Sequence, residues 1–302
     1  MDDNVLDVKN RKFIWETALM LPHSRNLVDS GIEELSEYFK ISHREVEEVL
    51  PKSENLLADE WRKMKVNPRD ANSVISFYNN TKIEIFELMD WHINRFDTGP
   101  LNYVCALEIA KERNAKKYLD YGSGIGSGII LFSKNGFEVT SADISDPLQD
   151  FIKYRSKKRN INVEFINLKQ QKLKKDYYEV ITCFDVLEHL VKPTKTIKEL
   201  REALKEGGIL ILNNIKCPKH ENKPMHISEV NLEKTLRSLG FNQLWVFQKK
   251  FKEVNKWAYV TVLEKVKRNF LYNKFFYIYD KFCPIWFSKS VKKSIGWSYS
   301  DN

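Results

Sequence analysis

The chain is poor in the residues that mark several classes of protein. Its 302 residues include only 4 cysteines, 11 glycines and 9 prolines. The cysteines lie far apart without a CxxC pair, so neither a disulfide framework nor a paired-cysteine zinc site is expected. No apolar run approaches the roughly 20 residues that span a bilayer, and the opening MDDNVLDVKN lacks the apolar core of a signal peptide. We therefore expect a cytoplasmic protein.

The composition favours a folded, globular chain. Hydrophobic residues make up 42% and aromatic residues 13% of the sequence, and no monotonous tract suggests disorder. The formal net charge is +8, but the lysines and arginines are scattered in short groups. Such groups are typical of solvated faces, so no nucleic-acid partner is expected from charge alone.

The pattern of apolar residues divides the chain into three parts. Helical spacing dominates residues 1–98, which we predict to be a helical region that covers the substrate or forms a dimer. Thr98, Gly99 and Pro100 then interrupt the helical pattern. Residues 99–265 alternate β-branched runs with amphipathic stretches, as consecutive βα units do. Residues 266–302 form an aromatic and basic C-terminal extension.

Seven strands are predicted in the middle part of the chain, with helices in the connections between them. The strands are residues 117–121, 138–143, 163–167, 179–184, 209–213, 243–247 and 257–263. The helices are residues 125–135, 147–160, 193–205 and 228–239. The last two strands are joined by a short basic connection, so we expect them to pair antiparallel at one sheet edge. The prediction is an α/β domain with a mainly parallel sheet.

A glycine-rich turn follows the first predicted strand. Residues 118–128 read YLDYGSGIGSG, an apolar strand that leads into alternating glycines and then an apolar helix. Glycines at such a turn let a ligand approach the backbone N–H groups of a helix N-terminus. The spacing matches neither GxGxxG nor the P-loop pattern.

Two acidic residues narrow the class of ligand. Asp143 ends the second strand, where a carboxylate suits a ribose diol. Asp120 lies just before the glycines, where a carboxylate can hold an ammonium group. A nucleoside that carries an amino acid has both groups, whereas a nicotinamide dinucleotide lacks the ammonium.

Four motifs in this order resemble the class I S-adenosylmethionine-dependent methyltransferases. They are DYGSGIGSG, VTSADIS, ITCFDVLEHLVKP and GGILIL, and the resemblance covers about residues 101–265. It implies a Rossmann-like α/β fold, with a seven-stranded, mostly parallel sheet whose last strand is antiparallel. It also implies S-adenosyl-L-methionine as the cofactor.

The resemblance assigns cofactor contacts residue by residue. The positions expected around the methionine and sulfonium part are Asp120, Gly122, Gly124, Gly126, Phe184 and Asp185. Asp143 is expected to bind the ribose hydroxyls and Ile144 to lie against the adenine ring. The family often has an acid after the third strand for the adenine amine. This chain has Asn167 there, whose amide oxygen is the expected substitute.

Histidines are the candidate bases for a hydroxyl acceptor. His189, His220 and His226 follow strands at the ligand-binding end of the sheet, and we predict His226 and His189 as the catalytic residues. A purely structural hydrogen-bonding role for His189 remains the alternative. Cys217, His220 and His226 lack the paired spacing of zinc ligands, so we expect no metal site.

The helix predicted around residues 78–95 is the candidate cover of the acceptor pocket. Tyr78, Trp91 and His92 are its predicted substrate-binding residues. Packing between helix and sheet is the alternative, because aromatic residues at helical spacing usually belong to the core.

Two other segments suggest partners. Residues 32–46 resemble a helix-turn-helix with a second helix that begins at Ser42. That helix carries Glu45, Glu47 and Glu48, which would repel phosphates, so packing or homodimer formation is favoured over DNA binding. Residues 265–297 combine basic and aromatic side chains, which favours packing on the helical region or on a second subunit, with peripheral membrane contact as the alternative.

The sequence thus predicts an enzyme that transfers a methyl group from S-adenosylmethionine to an oxygen or nitrogen of a small molecule. A peptide, sugar or lipid acceptor remains open. So do aminopropyl transfer, carbon methylation and a non-catalytic scaffold that binds the cofactor.

Overall fold

The computed structural model describes residues 3–96, 99–213, 216–217, 223–228, 230–232, 236, 238–251 and 256–266. Within these ranges the helices are α1 (Asp3–Leu19), α2 (Leu27–Phe39), α3 (His43–Val49), α4 (Ser53–Lys63), α5 (Ala71–Asn80), α6 (Ile83–Asn94), α7 (Gly99–Glu112), α8 (Ser127–Lys134), α9 (Asp146–Lys158) and α10 (Pro193–Ala203). The strands are β1 (Lys117–Tyr121), β2 (Glu138–Asp143), β3 (Val163–Asn167), β4 (Tyr178–Cys183), β5 (Leu204–Leu212), β6 (Lys216–Cys217), β7 (Val230–Asn231), β8 (Phe241–Phe251) and β9 (Lys256–Lys265). Single turns of 3₁₀ helix lie at Leu50–Lys52 and Leu187–His189.

The main sheet has the strand order β3-β2-β1-β4-β5-β9-β8. Strands β1 to β5 pair parallel with one another, and β9 pairs antiparallel with both β5 and β8. The predicted α/β sheet, mostly parallel with an antiparallel last strand, is therefore confirmed. The strand order reverses between β1 and β4. In parallel sheets such a switch point opens a ligand crevice at the carboxyl ends of the strands.

Side chains alternate between the two faces of the sheet, as strand geometry requires. Tyr118 and Val180 belong to a buried cluster with residues of α7 and α8. Leu119 and Ile181 belong to a second cluster with residues of α10. Because both faces are covered, the central strands are buried along almost their whole length.

The helical region packs on one side of this domain through apolar and charged contacts. Residues of α2 and α6 share a buried cluster with Leu148 and Phe151 of α9. Within this contact Glu34 accepts hydrogen bonds from the guanidinium groups of Arg155 and Arg159. The predicted helix start at Ser42 is confirmed, since Ser42 and Glu45 form a reciprocal capping box at the start of α3.

One predicted helix is wrong at its start. Residues 228–239 were expected to be helical, but Val230 and Asn231 form β7 and pair with β6. Among the described residues of this stretch, the backbone N–H of Leu236 donates a helix-like hydrogen bond to the carbonyl of Leu232. Residues 229, 233–235 and 237 lie outside the described ranges.

The C-terminal extension also lies outside the described residues from residue 267 onward. Its predicted packing or membrane contact therefore stays a prediction. Among the described helices, none is both long enough and apolar enough to cross a bilayer.

Candidate active site

A cavity with a volume of about 570 Å³ opens at the carboxyl ends of β1, β2 and β4. Ligand pockets typically have volumes of about 300 to 1,000 Å³. The predicted site residues on its wall are Tyr78, Trp91, His92, Gly122, Gly124, Asp143, Ile144, Phe184, Asp185, His189 and His226. Asp120, Gly126 and Asn167 are not part of the wall.

The glycine turn forms the floor of the cavity between β1 and α8. Gly122 has φ +70°, in the left-handed region that favours glycine, and its N–H donates to the carbonyl of Ala142 at 2.8 Å. A β-carbon at Gly122 would lie 2.3 Å from Cγ2 of Val186. The turn therefore needs glycine for both its conformation and its close approach to the segment after β4.

Replacement of Gly122 by alanine tests this requirement. Gly207 is a matched control, because its φ is +75° and a β-carbon there would meet nothing within 4 Å. Both variants carry similar backbone strain, but only Gly122→Ala adds a collision, which typically costs about 1 to 3 kcal/mol. We expect Gly122→Ala to lower the free energy of unfolding by about 2 kcal/mol more than Gly207→Ala. Urea denaturation measures both, and equal losses would contradict the close approach.

Asp143 joins the glycine turn to the start of α9. Its Oδ2 accepts a hydrogen bond from the N–H of Gly124 at 3.2 Å, and its Oδ1 accepts one from the N–H of Ser145 at 2.9 Å. Burial raises the pKa of Asp143 to about 6, although these backbone N–H groups oppose the rise. Ile144 follows it on the cavity wall. Both residues therefore lie at the carboxyl end of β2 and face the cavity.

Asp120 lies beneath the turn. Its Oδ1 accepts hydrogen bonds from the hydroxyl groups of Thr182 at 2.8 Å and Tyr103 at 3.3 Å. Its Oδ2 is buried and has no hydrogen-bond partner among the residues that the structure describes. Burial raises the pKa of Asp120 to about 7. A cationic group at this end of the site would compensate the buried carboxylate.

Asn167 and Gly126, which are not on the cavity wall, contact other parts of the domain. The amide of Asn167 donates to Oδ1 of Asp146 at 2.8 Å and accepts from the N–H of Lys169 at 3.1 Å. Leu168, the next residue along the chain, lies on the cavity wall instead. A β-carbon at Gly126 would lie 2.8 Å from Cγ2 of Ile152, so this glycine permits close packing of α9.

The carboxyl end of β4 supplies the opposite wall. The ring of Phe184 packs edge-on against that of Tyr103, with 4.9 Å between centroids. Asp185 follows in the left-handed region, with φ +52°, and its N–H donates to Oδ1 of Asn213 at 3.0 Å. This unusual conformation for a residue other than glycine exposes the carboxylate at the cavity wall.

Helix α6 covers the glycine turn from above. A β-carbon at Gly124 would lie 3.0 Å from Cδ1 of Leu88, which shows how closely the helix approaches. Nδ1 of His92 lies 2.8 Å from Oγ of Ser127, the first residue of α8. Burial lowers the pKa of His92 to about 3, so the ring is neutral at neutral pH.

Sequence reasoning missed two acidic residues of α6. Glu84 and Glu87 line the cavity together with Trp91. Burial raises the pKa of Glu84 well above its usual range and that of Glu87 to about 7. Glu84 lies four positions before Leu88 and Glu87 four positions before Trp91, and this helical spacing was the available signal. It could not show which face of the helix meets the cavity.

Histidines and a tyrosine meet at the far side of the cavity. Nδ1 of His189 lies 3.0 Å from the hydroxyl oxygen of Tyr78, and the rings of His189 and His226 have centroids 5.0 Å apart. Ligand atoms of Glu188, His189 and His226 all lie within 4.8 Å of one another. Burial lowers the pKa of His189 to about 4. His220 lies outside the described residues.

Parts of the chain are similar to known proteins. Residues 101–249 match the family model described as a methyltransferase domain. A ubiquinone biosynthesis O-methyltransferase of Coxiella burnetii is 32% identical over 102 residues, which are 33% of this chain and 44% of that protein. The enzyme of the same name from Saccharophagus degradans is 30% identical over 103 residues, again 33% of this chain and 44% of that protein. The chain thus spans less than half the length of these curated relatives.

Solved structures of methyltransferases are also similar. Magnesium protoporphyrin IX methyltransferase from Synechocystis, crystallised with S-adenosylmethionine, is 18% identical with a TM-score of 0.48; the match covers 66% of this chain and 97% of that one. A toxoflavin-precursor N1-methyltransferase from Burkholderia thailandensis, bound to 1,6-didemethyltoxoflavin and S-adenosylhomocysteine, is 15% identical with a TM-score of 0.45; the match covers 56% and 80%. Residues 101–249 of the chain are therefore similar to a methyltransferase domain.

Proposed function

We propose that this protein transfers a methyl group from S-adenosylmethionine to an oxygen or nitrogen atom of a small molecule. One observation carries the proposal: a single cavity has the glycine turn and Asp143 on one side and the His189–His226 pair on the other. The names of the partial relatives, ubiquinone biosynthesis O-methyltransferases, favour oxygen as the accepting atom.

The first side fits the cofactor. The turn at Gly122 and Gly124 admits a ligand close to the backbone, and the Asp143 carboxylate suits the ribose hydroxyls. Asp120 lies buried beneath the turn and not on the cavity wall, so we propose that its carboxylate favours the ammonium group at the methionine end through its charge. Bound here, S-adenosylmethionine supplies an electrophilic methyl group on its sulfonium, and the protein's task is to align an acceptor with it.

The second side fits the acceptor. Apolar side chains of α4 and α5, among them Leu57 and Val74, line the cavity and exclude water. Burial keeps the ring of His189 neutral, so this side of the cavity can assist removal of the proton from a hydroxyl acceptor. We propose His226 and His189 for this role, with Tyr78 orienting the ring of His189.

The helical region completes the site in this proposal. Residues of α4, α5 and α6 line the cavity together with the strand ends of the sheet. We therefore propose that residues 1–98 serve as the cover of the acceptor and residues 99–265 as the methyltransferase domain. The contacts of Tyr78, Trp91 and His92 with the cavity support a direct role of this cover in acceptor binding.

The affinity for S-adenosylmethionine should fall as the pH falls through 6. Hydrogen bonds from ribose hydroxyls need the carboxylate form of Asp143, and its raised pKa of about 6 means that protonation competes with binding. One pH unit below this pKa about nine-tenths of the group is protonated, so we expect about tenfold weaker binding at pH 5 than at pH 8. Calorimetric titration at both pH values measures this. The variant Asp143→Asn should bind S-adenosylmethionine more weakly at pH 8. Its affinity should also depend less on pH, because only the titration of Asp120 then contributes. If the affinity of the variant changed with pH as much as that of the unaltered protein, a group other than Asp143 would be responsible.

Transfer of a labelled methyl group tests the proposed acceptor class. The purified protein is incubated with methyl-labelled S-adenosylmethionine and an extract of the cells that make it, and the extract is then separated by chemical class. We expect label in a low-molecular-weight product. Label confined to the protein, lipid or nucleic-acid fraction would contradict a small-molecule acceptor. The heat-inactivated protein is the control.

A further inference from the structure

Three side chains with metal-ligating atoms meet at the acceptor side of the cavity. One carboxylate oxygen of Glu188 and one ring nitrogen each of His189 and His226 lie within 4.8 Å of one another. All three residues line the cavity. Glu188 is buried, and the two imidazole rings are half-buried and meet edge-to-face.

The backbone holds these residues in place. Glu188 and His189 lie in the 3₁₀ turn after β4, and His226 lies in a turn of the segment after β6. The carbonyl oxygen of Glu188 accepts hydrogen bonds from the N–H groups of Ile227 at 2.9 Å and Ser228 at 3.0 Å. These bonds bring His226 beside the other two ligands. The grouping therefore depends on the fold and not on flexible side chains.

The donor set has the chemistry of a metal site with room for substrate. Two imidazoles and one carboxylate are the protein ligands of several catalytic zinc sites and of non-haem iron(II) sites, which keep further positions open. Tyr78 contacts Nδ1 of His189 at 3.0 Å, and such a second contact typically orients a metal-bound imidazole. The side of the cluster that faces the cavity is where an acceptor oxygen would enter.

Ionisable side chains of both signs line the cavity. Carboxyl groups of Glu84, Glu87 and Asp185 line the same cavity. Lys192, Lys195 and Lys223 also line it, and Nζ of Lys223 lies 3.5 Å from Oε1 of Glu54. A divalent ion at the cluster would favour the ionised form of the neighbouring carboxyl groups.

We propose that Glu188, His189 and His226 bind a divalent transition-metal ion that takes the acceptor oxygen as a further ligand. This inference rests on the proposed function, because the two histidines would assist methyl transfer by holding the metal ion. Coordination lowers the pKa of a hydroxyl group. The acceptor O–H bond breaks and its proton passes to water. The oxygen–methyl bond then forms as the sulfur–methyl bond breaks, and that electron pair stays on sulfur.

Titration with Co²⁺ in the absence of S-adenosylmethionine tests the site. The chelator-treated protein should bind one Co²⁺ with micromolar affinity and develop the visible absorption of nitrogen-ligated cobalt. His226→Ala and Glu188→Gln should each weaken binding by at least about tenfold, and Tyr78→Phe, which removes only the supporting contact, by about tenfold. His43→Ala, at an exposed histidine of α3, should leave the affinity unchanged.

The outcomes separate this inference from the proposed function. Failure of the unaltered protein to bind Co²⁺, or equal affinity in His226→Ala, Glu188→Gln and His43→Ala, would overturn the metal site. Thermal melting of each variant shows that it is folded. S-adenosylmethionine binding and methyl transfer are measured separately with the chelator-treated protein. Cofactor binding without cobalt binding would leave the proposed function standing, whereas cobalt binding without cofactor binding would remove the proposed function alone.

Discussion

Replacement of Glu34 by glutamine is expected to lower the free energy of unfolding by about 3 to 5 kcal/mol. The side chains of Glu34 and Arg155 are each only 1% exposed, and that of Arg159 is 4% exposed. Burial opposes the charge on Glu34, yet the two guanidinium groups hold its pKa below the usual value. Without the carboxylate, two arginines remain charged in a region that water does not reach. Urea denaturation measures the loss.

Glu33 offers a matched control on the same helix. Its carboxylate contacts Lys158 at 3.0 Å and His23 at 2.7 Å, but at a partly exposed position. Glu33→Gln should therefore cost no more than about 1 kcal/mol. A loss for Glu34→Gln as small as that for Glu33→Gln would show that the ion pair between α2 and α9 contributes little to stability.

The same ion pair links the helical region to the glycine turn. Nη1 of Arg155 donates to the carbonyl oxygen of Ile125 at 2.8 Å and to Oγ of Ser127 at 3.0 Å. Ser127 in turn contacts His92 of α6. Glu34 therefore holds in place an arginine that orders the start of α8, although Glu34 itself is not on the cavity wall.

Replacement of Asp143 by alanine is expected to weaken S-adenosylmethionine binding by at least about 100-fold. Each hydrogen bond to a charged carboxylate contributes about 1.5 to 3 kcal/mol, and loss of two ribose contacts corresponds to about two factors of ten in affinity. The variant also loses the acceptor of the N–H groups of Gly124 and Ser145, which loosens the turn itself. Calorimetric titration of the variant gives the affinity directly.

Asp150→Ala is the control for this prediction. Asp150 is an exposed carboxylate of α9 that pairs with Lys153, so its removal changes the charge equally without touching the cavity. Its affinity for the cofactor should equal that of the unaltered protein. Unchanged affinity in Asp143→Ala would overturn the placement of the ribose.

The elements that the sequence predicts well are those with a local pattern. The predicted bounds of β1, β2 and β3 agree with the structure, because each is a short run between turn residues. The glycine turn and Asp143 lie directly after such strands, so their positions follow from the strand assignment. The wrong start of the helix predicted at 228–239 has a non-local cause, since β7 exists only through its pairing with β6.

The site residues that were missed depend on tertiary contacts. Glu84 and Glu87 reach the cavity because α6 lies with that face over the glycine turn, which helical spacing alone does not determine. Glu188 and His226 lie 38 positions apart and meet through the hydrogen bonds of Ile227 and Ser228 to the Glu188 carbonyl. The expectation of no metal site considered the spacing of Cys217, His220 and His226, whereas the structure groups His226 with two residues from after β4.

Parallel calorimetric titrations with S-adenosylmethionine, S-adenosylhomocysteine and NAD test the central claim most directly. The cavity, with Asp143 proposed for the ribose and Asp120 beneath the glycine turn, predicts micromolar binding of the first two ligands and no binding of NAD. Binding of NAD alone, or of none of the three, would contradict the assignment of this cavity to S-adenosylmethionine.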